Sequence, residues 1–414
     1  MNSFTTRKIG TLGRVVTGKT PSTANDDYFG GPYPFITIPD LDGRVVIDSS
    51  ARTLSQTGAG AIKSSLLPAG SVMMSCIATV GKCGITARTS FTNQQINSVI
   101  PNEDVDAQFL YYAFREIGHV LERSGGGGSV YTNVSKSRFS DIELLVPPLP
   151  EQRAIAATLG ALDDKIELNR KMNATLESMA RALFRDWFVD FGPTRAKMEG
   201  REPYLSPDLW SLFPDRLDAE GKPEGWEVST IGDFIELLDH KRVPLSSQER
   251  AKRQGPYPYH GATSVMDHID SYLFDERLLL LGEDGSVAKE DGRPFTQYVW
   301  GKLWVNNHAH VIKGRNMSVE QLKLFFDQID IRPFVTGAVQ PKLNQANLRR
   351  VPYLRASDAI HSAFDATIAP LYDLVRQLNE ESRTLAQTRD LLLPRLMSGE
   401  LRVAENERLV GEVA

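Results

Sequence analysis

Amide side chains are grouped in two short segments of this 414-residue sequence, and amides are suited to reading nucleotide bases. An Asn or Gln side chain can bond N6 and N7 of adenine together, which is how base edges are read in the major groove. The segments TNQQIN and VNNHAH therefore predict base contacts at two places in the chain. The candidate residues are Asn93, Gln94, Gln95, Asn306, Asn307 and His308.

Polar and basic loops occupy corresponding places around the two amide segments. TGKTPS corresponds to DHKRVPLSS, and GGSVYTNVSKSR corresponds to GAVQPKLNQANLRR. Lys and Arg side chains on such loops suit phosphate groups, whereas contacts to base edges specify sequence. These loops and two further turns add the candidate DNA-binding residues Lys19, Thr20, Thr79, Lys82, Tyr131, Asn133, Lys136, Lys241, Arg242, Ser286, Gln340 and Lys342.

Motifs for catalysis are missing from the sequence. There is no GxxxxGK[ST], no HExxH, no GxSxG, and no Asn or Asp followed by PPY or PPF. The paired acids Glu283 and Asp284 lack a following E-x-K arrangement and are interpreted as a solvated turn. His308 and His310 share one face of a predicted strand without an evident partner base. We therefore predict no catalytic residue and no metal site.

Composition places the chain among globular proteins. Apolar residues make up 41% and charged residues 24%, and no apolar run reaches the ~18 residues of a membrane span. The net charge of -5 implies that any DNA binding is local. Cys76 and Cys83 fit neither a redox pair nor a zinc knuckle, so they are predicted to be packed or free thiols. A cytoplasmic location without membrane contact is expected.

The chain contains a long internal repeat. Residues 128–146 align with residues 337–355 at a constant shift of 209, and the shift continues without a gap into the following helical segment. Upstream, GPYPF aligns with GPYPY at a different shift, which indicates loop insertions between the copies. A repeat of this length predicts two similar modules, each followed by a similar helix.

Both helical segments carry apolar residues at alternating spacings of four and three. This period of 3.5 is typical of a coiled-coil seam, and each copy becomes polar at the same place, Asn173 and Ser382, which can fix the register. The two helices are therefore predicted to pair with each other. The seam residues are Ile155, Leu159, Leu162, Ile166, Leu176, Leu183, Phe364, Ile368, Leu371, Val375, Leu378, Leu385 and Leu392.

The predicted fold class is α+β, with two mixed modules and two long antiparallel helices in a pseudo-twofold tandem repeat. Short β-rich runs alternate with one convincing helix in each module. The Pro, Gly, Asp and Glu-rich stretch after the first helix is predicted to be a linker with at most short helical turns, and Gly192-Pro193 is predicted to end the first helix. The predicted segments are the first module (1–146), the first long helix (147–191), the linker (192–225), the second module (226–356), the second long helix (357–403) and a tail (404–414).

The chain resembles the DNA-specificity subunits of type I restriction-modification systems along nearly all of its length. The motifs that carry the resemblance are PPLPEQRAIAATLGALDDKIELNRKMN, LFRDWFVDFGP, PEGWEV and LLLPRLMSGELRV. The resemblance implies two target-recognition domains, each reading one part of a split, asymmetric DNA sequence. It further implies that two antiparallel helices hold these domains at a fixed distance.

The resemblance also implies partners. Double-stranded DNA, two methyltransferase subunits and restriction/translocase subunits are expected. The chain itself would hold no cofactor and catalyse nothing, while its partners would use S-adenosylmethionine, ATP and Mg. A second apolar stripe, Leu168, Met172 and Met179, would contact either a methyltransferase helix or the chain's own modules. The alternatives are a coiled-coil scaffold without DNA specificity and a DNA-modifying enzyme.

Overall fold

The computed structural model describes residues 4–77, 79–124, 134–337 and 340–403. The chain divides into a first unit, Met1–Lys171 with Leu378–Ala414, and a second unit, Met172–Gln377. Each unit contains a mixed α+β module together with parts of two long helices. Within the described ranges, no helix combines the length and the apolar character that crossing a membrane requires.

The module of the first unit is built on three sheets. Its strands are β1 (Thr5–Lys8), β2 (Gly13–Thr17), β3 (Phe29–Ile36), β4 (Val46–Ile47), β5 (Arg52–Leu54), β6 (Val72–Ser75), β7 (Cys83–Thr86), β8 (Phe91–Thr92), β9 (Ile96–Pro101) and β10 (Glu143–Val146). The largest sheet has the order β2-β9-β6-β7-β4, a second has the order β5-β3-β8, and β1 pairs with β10. The pair β1-β10 joins the beginning of the module to its end.

The module of the second unit is built in the same way. Its strands are β11 (Glu227–Thr230), β12 (Ile235–Leu237), β13 (Gln254–His260), β14 (Val265–Ile269), β15 (Phe274–Asp275), β16 (Leu278–Gly282), β17 (Thr296–Val299), β18 (Lys302–Val305), β19 (Ala309–Gly314) and β20 (Pro352–Arg355). The sheets have the orders β12-β19-β16-β17 and β14-β13-β18-β15, and β11 pairs with β20.

The strand orders confirm that the sequence repeat is a structural repeat. The order β2-β9-β6-β7 of the first unit becomes β12-β19-β16-β17 in the second, with antiparallel pairing throughout. Each unit also contains a parallel pair at the same place, β3 with β8 and β13 with β18, and the first unit has a second parallel pair, β4 with β7. The GPYP segments lie in β3 and β13, so the sequence match marks equivalent strands.

Helices follow the same repeat. They are α1 (Ile9–Leu12), α2 (Gln56–Ala61), α3 (Ala107–Ser124), α4 (Lys136–Asp141), α5 (Leu149–Phe188), α6 (Gly192–Met198), α7 (Pro207–Leu212), α8 (Ser247–Ala251), α9 (Val319–Phe326), α10 (Gln345–Arg349) and α11 (Asp358–Met397). Helix α3 packs on β6 and β7, and α9 packs on the equivalent strands β16 and β17. Cys76 and Cys83 are buried and free, and burial raises the pKa of Cys76 to about 11.

The two long helices each contain 40 residues, which corresponds to about 60 Å of helix. Helix α5 begins directly after Pro147 and Pro148, which cannot continue a preceding helix. Both helices carry an acidic residue in the first turn and a basic residue in the last turn, as the helix dipole favours. Both helices contribute to both units.

In the first unit the two long helices run antiparallel. Asp163 of α5 bonds to Arg389 of α11, whereas Asn169 bonds to Ser382 and to the carboxylate of Glu381. The residue numbers therefore rise along α5 as they fall along α11. The amide of Asn169 is buried at this contact, where a single polar group can fix the register of a coiled coil.

In the second unit the same antiparallel pairing is built from aromatic rings. Phe364 of α11 packs edge to face against Phe184, Trp187 and Phe188 of α5, with ring centroids 5.0 to 5.8 Å apart. Such pairs contribute about 0.5 to 1.5 kcal/mol beyond the area they bury. Phe184 contacts Phe364 while Phe188 also stacks on His361, so residue numbers again rise along α5 as they fall along α11, and the predicted antiparallel pairing is confirmed within each unit.

The predicted seam residues lie on the inner faces of these helices. The fully buried ones are Ile155, Leu159, Phe364, Ile368, Val375 and Leu378. The remaining seven are half-buried. Leu168, Met172 and Met179 are exposed, with 50%, 36% and 49% of their surface accessible, so the structure does not show the alternative contact with the chain's own modules.

The segment after α5 differs from the predicted punctuation. Helix α5 ends at Phe188, and Phe191 adopts a left-handed conformation with φ of 54°. Gly192 and Pro193 then begin the short helix α6 instead of only ending α5. Proline suits the first turn of a helix as well as the residue after one, so the dipeptide alone does not distinguish these roles.

His361 of α11 is enclosed by aromatic rings in the second unit. It stacks on Phe188 at 5.4 Å and on Tyr353 at 5.9 Å, and its Nδ1 lies 2.9 Å from Nε2 of Gln321. Burial lowers the pKa of His361 from 6.5 to about 4. The equivalent residue of the first unit is Gln152, which is buried and bonded to backbone groups.

We expect His361 to make stability depend on pH. The unfolded chain takes up a proton near pH 6.5, whereas the folded chain keeps His361 neutral down to about pH 4. The free energy of unfolding therefore keeps its full value above pH 6.5 with respect to this group. It decreases as the pH falls from 6.5 towards 4, by at most about 3 kcal/mol. Urea unfolding at pH 7, 6 and 5 measures this slope. His361→Gln, which copies Gln152, should flatten it, and an unchanged slope in that variant would contradict the assignment.

Candidate DNA interface

Two loops of the first unit meet at the end of the large sheet. The backbone N–H of Lys19 donates to the carbonyl oxygen of Thr92 at 2.9 Å, and Thr20 Oγ1 donates to Gln94 Oε1 at 2.7 Å. Lys19 and Thr20 follow β2, and Gln94 lies between β8 and β9. The side chains of Lys19, Thr20 and Gln94 are exposed. The structure therefore brings the first basic loop next to the first amide segment.

Asn93 shapes the segment that we call the first amide turn (residues 93–95). Its Oδ1 accepts a hydrogen bond from the backbone N–H of Gln95 at 3.1 Å, which is an Asx turn. Its Nδ2 donates to Oε1 of Gln95 at 3.0 Å. Gly18 packs so closely that a Cβ would lie 2.1 Å from the carbonyl oxygen of Asn93. The Asn93 amide is thus used inside the protein, while Gln94 points outward.

The second unit repeats this geometry in the second amide turn (residues 306–308). Asn306 Oδ1 accepts from the backbone N–H of His308 at 2.8 Å, and its Nδ2 contacts the sulfur of Met266 at 3.4 Å. Asn306 is only 4% exposed, whereas Asn307 and His308 are exposed. The first Asn of each turn therefore has a structural role that sequence reasoning did not assign.

A third loop lies beside each amide turn. In the first unit the backbone N–H of Cys76 donates to the carbonyl oxygen of Gln95 at 2.8 Å. Ser75 Oγ then closes a tight turn by donating to the carbonyl oxygen of Thr79 and accepting from the N–H of Lys82. Thr79 and Lys82 are exposed on this turn. The equivalent turn of the second unit exposes Ser286.

A fourth segment completes the surface in both units. Val134 donates its backbone N–H to the carbonyl oxygen of Cys76 at 2.8 Å, and Lys136 begins α4 two residues later, exposed. In the second unit Gln340 and Lys342 are exposed just before α10. The predicted residues Tyr131 and Asn133 lie outside the described residues. Four loops therefore converge in each unit.

Ionisable side chains lie beneath the loops of the second unit, in a group that we call the charge cluster: Asp239, Arg242, Glu283, His310 and, exposed at its edge, Lys342. Asp239 Oδ2 lies 2.6 Å from Nδ1 of His310, and Nε2 of His310 lies 2.7 Å from the carbonyl oxygen of Leu343. Both ring nitrogens of His310 therefore lie within hydrogen-bond distance of an oxygen atom. His310 therefore has a partner, Asp239, that was not evident from the sequence.

Arg242 connects the remaining members of the charge cluster. Its Nη1 donates to Oε2 of Glu283 at 2.7 Å and to the carbonyl oxygen of Ala309 at 2.6 Å, and its side chain is only 12% exposed. Lys342 Nζ lies 3.5 Å from the other carboxylate oxygen of Glu283. Arg242 was predicted to contact DNA, and the structure places its guanidinium against internal partners.

The turn at Glu283 and Asp284 is not solvated as predicted. The two side chains are 14% and 17% exposed, and Asp284 bonds to Nδ1 of His308 at 2.5 Å. The interpretation was wrong because their partners lie far away in the sequence, at Arg242, Lys342 and His308. A turn rich in acids is solvated only where no cation is brought to it by the fold.

Electrostatics explain how the charge cluster tolerates burial. Burial raises the pKa of Asp239, but the hydrogen bonds from His310 and Val311 and the charges of His310 and Arg242 outweigh this effect. The pKa of Asp239 is therefore held below its usual value. A buried carboxylate is stable only when it is paired and hydrogen-bonded in this way.

Three members of the charge cluster could also ligate a metal ion. Donor atoms of Asp239, Glu283 and His310 all lie within 4.8 Å of one another. However, Arg242 and Lys342 already bring positive charge to these carboxylates, and both nitrogens of His310 face oxygen acceptors. A metal ligand must offer a free lone pair. We therefore interpret the group as a salt-bridge network.

Comparisons with known proteins match both halves of the chain to one family. The family model described as type I restriction modification DNA specificity domain matches residues 1–178 and 223–380. The type I restriction enzyme MjaIX specificity subunit of Methanocaldococcus jannaschii is 28% identical over 96% of this chain and 94% of its own length. The HindI specificity subunit of Haemophilus influenzae is 38% identical over 34% of this chain and 31% of its own.

Among solved structures, the S subunit of a type I restriction-modification system from M. genitalium aligns with a TM-score of 0.49 and 17% identity, over 96% of both chains. The comparisons lend no support to the scaffold alternative. The family match covers most of the sequence and includes both modules. The chain therefore belongs to the family of type I restriction-modification DNA-specificity subunits, as its motifs predicted.

Proposed function

We propose that this chain reads a DNA target in two separate parts, with one unit for each part, as the specificity subunit of a type I restriction-modification enzyme. The observation that carries the proposal is the four-loop surface that occurs once in each unit. At its centre the side chains differ between the copies, with the exposed Gln94 and the half-buried Gln95 in one and the exposed Asn307 and His308 in the other. Different side chains on the same framework suit different base sequences.

Phosphate contacts would orient each unit on the duplex. In the first unit Lys19 donates from Nζ to Ser64 Oγ at 3.0 Å, and Lys82 and Lys136 are exposed on neighbouring loops. In the second unit Lys241 and Lys342 are exposed at the corresponding surface. Such contacts position a protein on DNA but carry no sequence information, so base reading falls to the two amide turns.

We assign the inward-facing members of the predicted set, Asn93, Asn306 and Arg242, to support of the surface. Asn306 forms its turn, and Arg242 lies among internal partners. The base-reading residues of the second unit are then Asn307 and His308, with Ser286 and Gln340 beside them. The matching set in the first unit is Gln94, Gln95 and Thr79.

Partner subunits would supply the chemistry. We propose that two methyltransferase subunits and the restriction/translocase subunits assemble with this chain, and that S-adenosylmethionine, ATP and Mg are bound by those partners. The exposed apolar residues Leu168, Met172 and Met179 share one face of α5 and would pack against a methyltransferase helix. The chain itself would contribute no catalytic group, and it would act in the cytoplasm where its DNA is found.

Selection from a library of random duplexes tests the proposal. The full chain, together with its methyltransferase subunit, should enrich two short sequence blocks separated by an unspecified gap of constant length. Binding should also weaken steeply as salt is added, because phosphate contacts release counterions. Enrichment of one continuous block, or of none, would refute the proposal.

Lys19→Ala should weaken DNA binding without changing its sequence preference. The loss should be similar for specific and scrambled duplexes, and the slope of log K against log salt should decrease by about 1. Titrations at several salt concentrations measure both quantities. Lys171→Ala is the matched control, since Lys171 is an exposed lysine of α5 away from the loops and should leave the slope unchanged. A change of preference in Lys19→Ala would assign Lys19 to base reading instead.

A further inference from the structure

The loops of the first unit are joined beneath the surface by a neutral chain of hydrogen bonds. Thr17 Oγ1 donates to Oδ1 of Asn97 at 2.7 Å, and Nδ2 of Asn97 donates to the carbonyl oxygen of Val134 at 3.3 Å. Asn97 is buried. The chain of bonds links the end of β2, the start of β9 and the segment that leads to α4.

The charge cluster occupies the same positions in the second unit. Thr17 lies opposite Asn97 in the β2-β9 register, and extending the β12-β19 register by two residues places Asp239 opposite His310. Val134 and Leu343, which receive the last bond in each chain, are related by the shift of 209. The neutral Thr-Asn pair is thus replaced by an Asp-His pair that contains a carboxylate.

At two further equivalent positions, a neutral residue of the first unit is replaced by a charged residue in the second. Cys76 and Glu283 are equivalent, because each donates its N–H to the third residue of the amide turn and accepts from Val134 or Leu343. Counting from Thr17 and Asp239, Thr20 is equivalent to Arg242. The first unit therefore has Cys and Thr where the second has Glu and Arg. At these equivalent described positions, the loops of the second unit are joined by charged side chains and those of the first by neutral ones.

Each segment that packs against the charge cluster contributes a charged or hydrogen-bonding side chain to it. Asp239, Arg242, Glu283 and Lys342 carry the charges, His310 lies between Asp239 and the carbonyl oxygen of Leu343, and the uncharged amide of Gln345 donates to Asp239 Oδ2 at 2.7 Å. Arg242 bridges the loop after β12, the end of β16 and the start of β19. Removing one partner leaves a buried charge uncompensated, which costs more than losing a surface ion pair.

We propose that Arg242 and Glu283 are positioning residues that hold the base-reading loops of the second unit, so that reading of the second half-site alone depends on this ion pair. The inference rests on the proposed function, since it concerns the same DNA surface. Glu283 joins both sides, because its backbone N–H bonds to His308 of the second amide turn while its carboxylate bonds to Arg242. The first half-site depends instead on the neutral bonds of Thr17 and Asn97.

Glu283→Gln in the full chain separates this role from direct contact with DNA. If Arg242 positions the loops, the variant should lose about tenfold in discrimination at the second sequence block and keep the first block intact. If Arg242 instead binds phosphate, freeing it from Glu283 should strengthen binding to all duplexes, and this result would overturn the proposal. The readout is library selection with the methyltransferase subunit present.

Arg242 variants supply the second test. Arg242→Met should relax the second block, while Arg242→Lys, which keeps the charge, should retain most of the discrimination. Thr20→Val at the equivalent position should not affect the second block. A uniform loss of affinity in Arg242→Met, without relaxed discrimination, would also overturn the proposal. If the unmodified chain selects no split sequence, the proposed function fails, and that outcome is distinct from both results.

Discussion

Replacing Asp163 by Asn is expected to lower the free energy of unfolding by about 3 kcal/mol, because it removes the buried counter-charge of Arg389 and leaves its guanidinium with only the half-exposed carboxylate of Asp390. Asp163 Oδ1 lies 2.5 Å from Arg389 Nη1, and its Oδ2 accepts a 2.7 Å bond from the hydroxyl of Tyr112. The two charged side chains are only 6% and 10% exposed. Urea unfolding of the variant beside the unmodified chain measures the loss.

A double substitution is the control for this prediction. Asp163→Leu combined with Arg389→Met removes both charges and should recover part of the stability, because buried ion pairs and apolar pairs of similar volume are often equivalent, whereas the buried hydroxyl of Tyr112 still loses its acceptor. The second unit supports this expectation, since the repeat places Tyr372 and Ala180 at the equivalent positions. If Asp163→Asn alone unfolds at the same urea concentration as the unmodified chain, the pair does not stabilise the helices.

Phe364→Ala should destabilise the second unit by about 4 kcal/mol, within the range found for deleting buried aromatic rings. Phe364 is fully buried and touches three aromatic rings of α5. Its removal would leave a cavity at the place where the two long helices meet. Thermal unfolding followed by tryptophan fluorescence reports the change directly, because Trp187 is one of the contacted rings.

Phe364→Ile provides a matched comparison. The first unit has Ile155 at the equivalent position, so an aliphatic side chain of this size suits the helix seam. The isoleucine variant should lose clearly less stability than the alanine variant. Equal losses in the two variants would show that ring contacts, and not the filled volume, determine the stability.

The long helices and their pairing could be predicted from the sequence because a seam of period 3.5 extends over both of them. The internal repeat was equally visible, since the shift of 209 continues without gaps through the helices. The helix contacts were less visible. The period predicted that Asn173 and Ser382 mark the polar position, whereas the structure pairs Ser382 with Asn169. The length and direction of each side chain determine which of two neighbouring positions on one helix face makes the polar contact.

The details of the DNA surface could not be predicted, because they depend on strand register between distant residues. Asp239 and His310 are 71 residues apart and meet only when β12 pairs with β19. An Asn side chain can also bond a base or its own backbone with equal ease. The sequence alone therefore could not separate Asn306, which forms a turn, from Asn307, which is exposed.

Comparison of the two units shows what the repeat preserves and what it varies. The strand orders, the Asx turns at Asn93 and Asn306 and the long helices are the same. The exposed residues of the amide turns and the bonds beneath them differ. A constant framework with varied loops is the expected arrangement for reading two unlike half-sites.

Mapping the methylated DNA sequences tests the central claim most directly. The full chain would be compared with Gln94→Ala/Gln95→Ala and with Asn307→Ala/His308→Ala, each assembled with the same methyltransferase subunit. We predict that the first variant changes only one block of the split methylated sequence, that the second changes only the other block, and that the gap length stays constant. Variants that each alter both blocks, or neither, would contradict the assignment of one half-site to each unit.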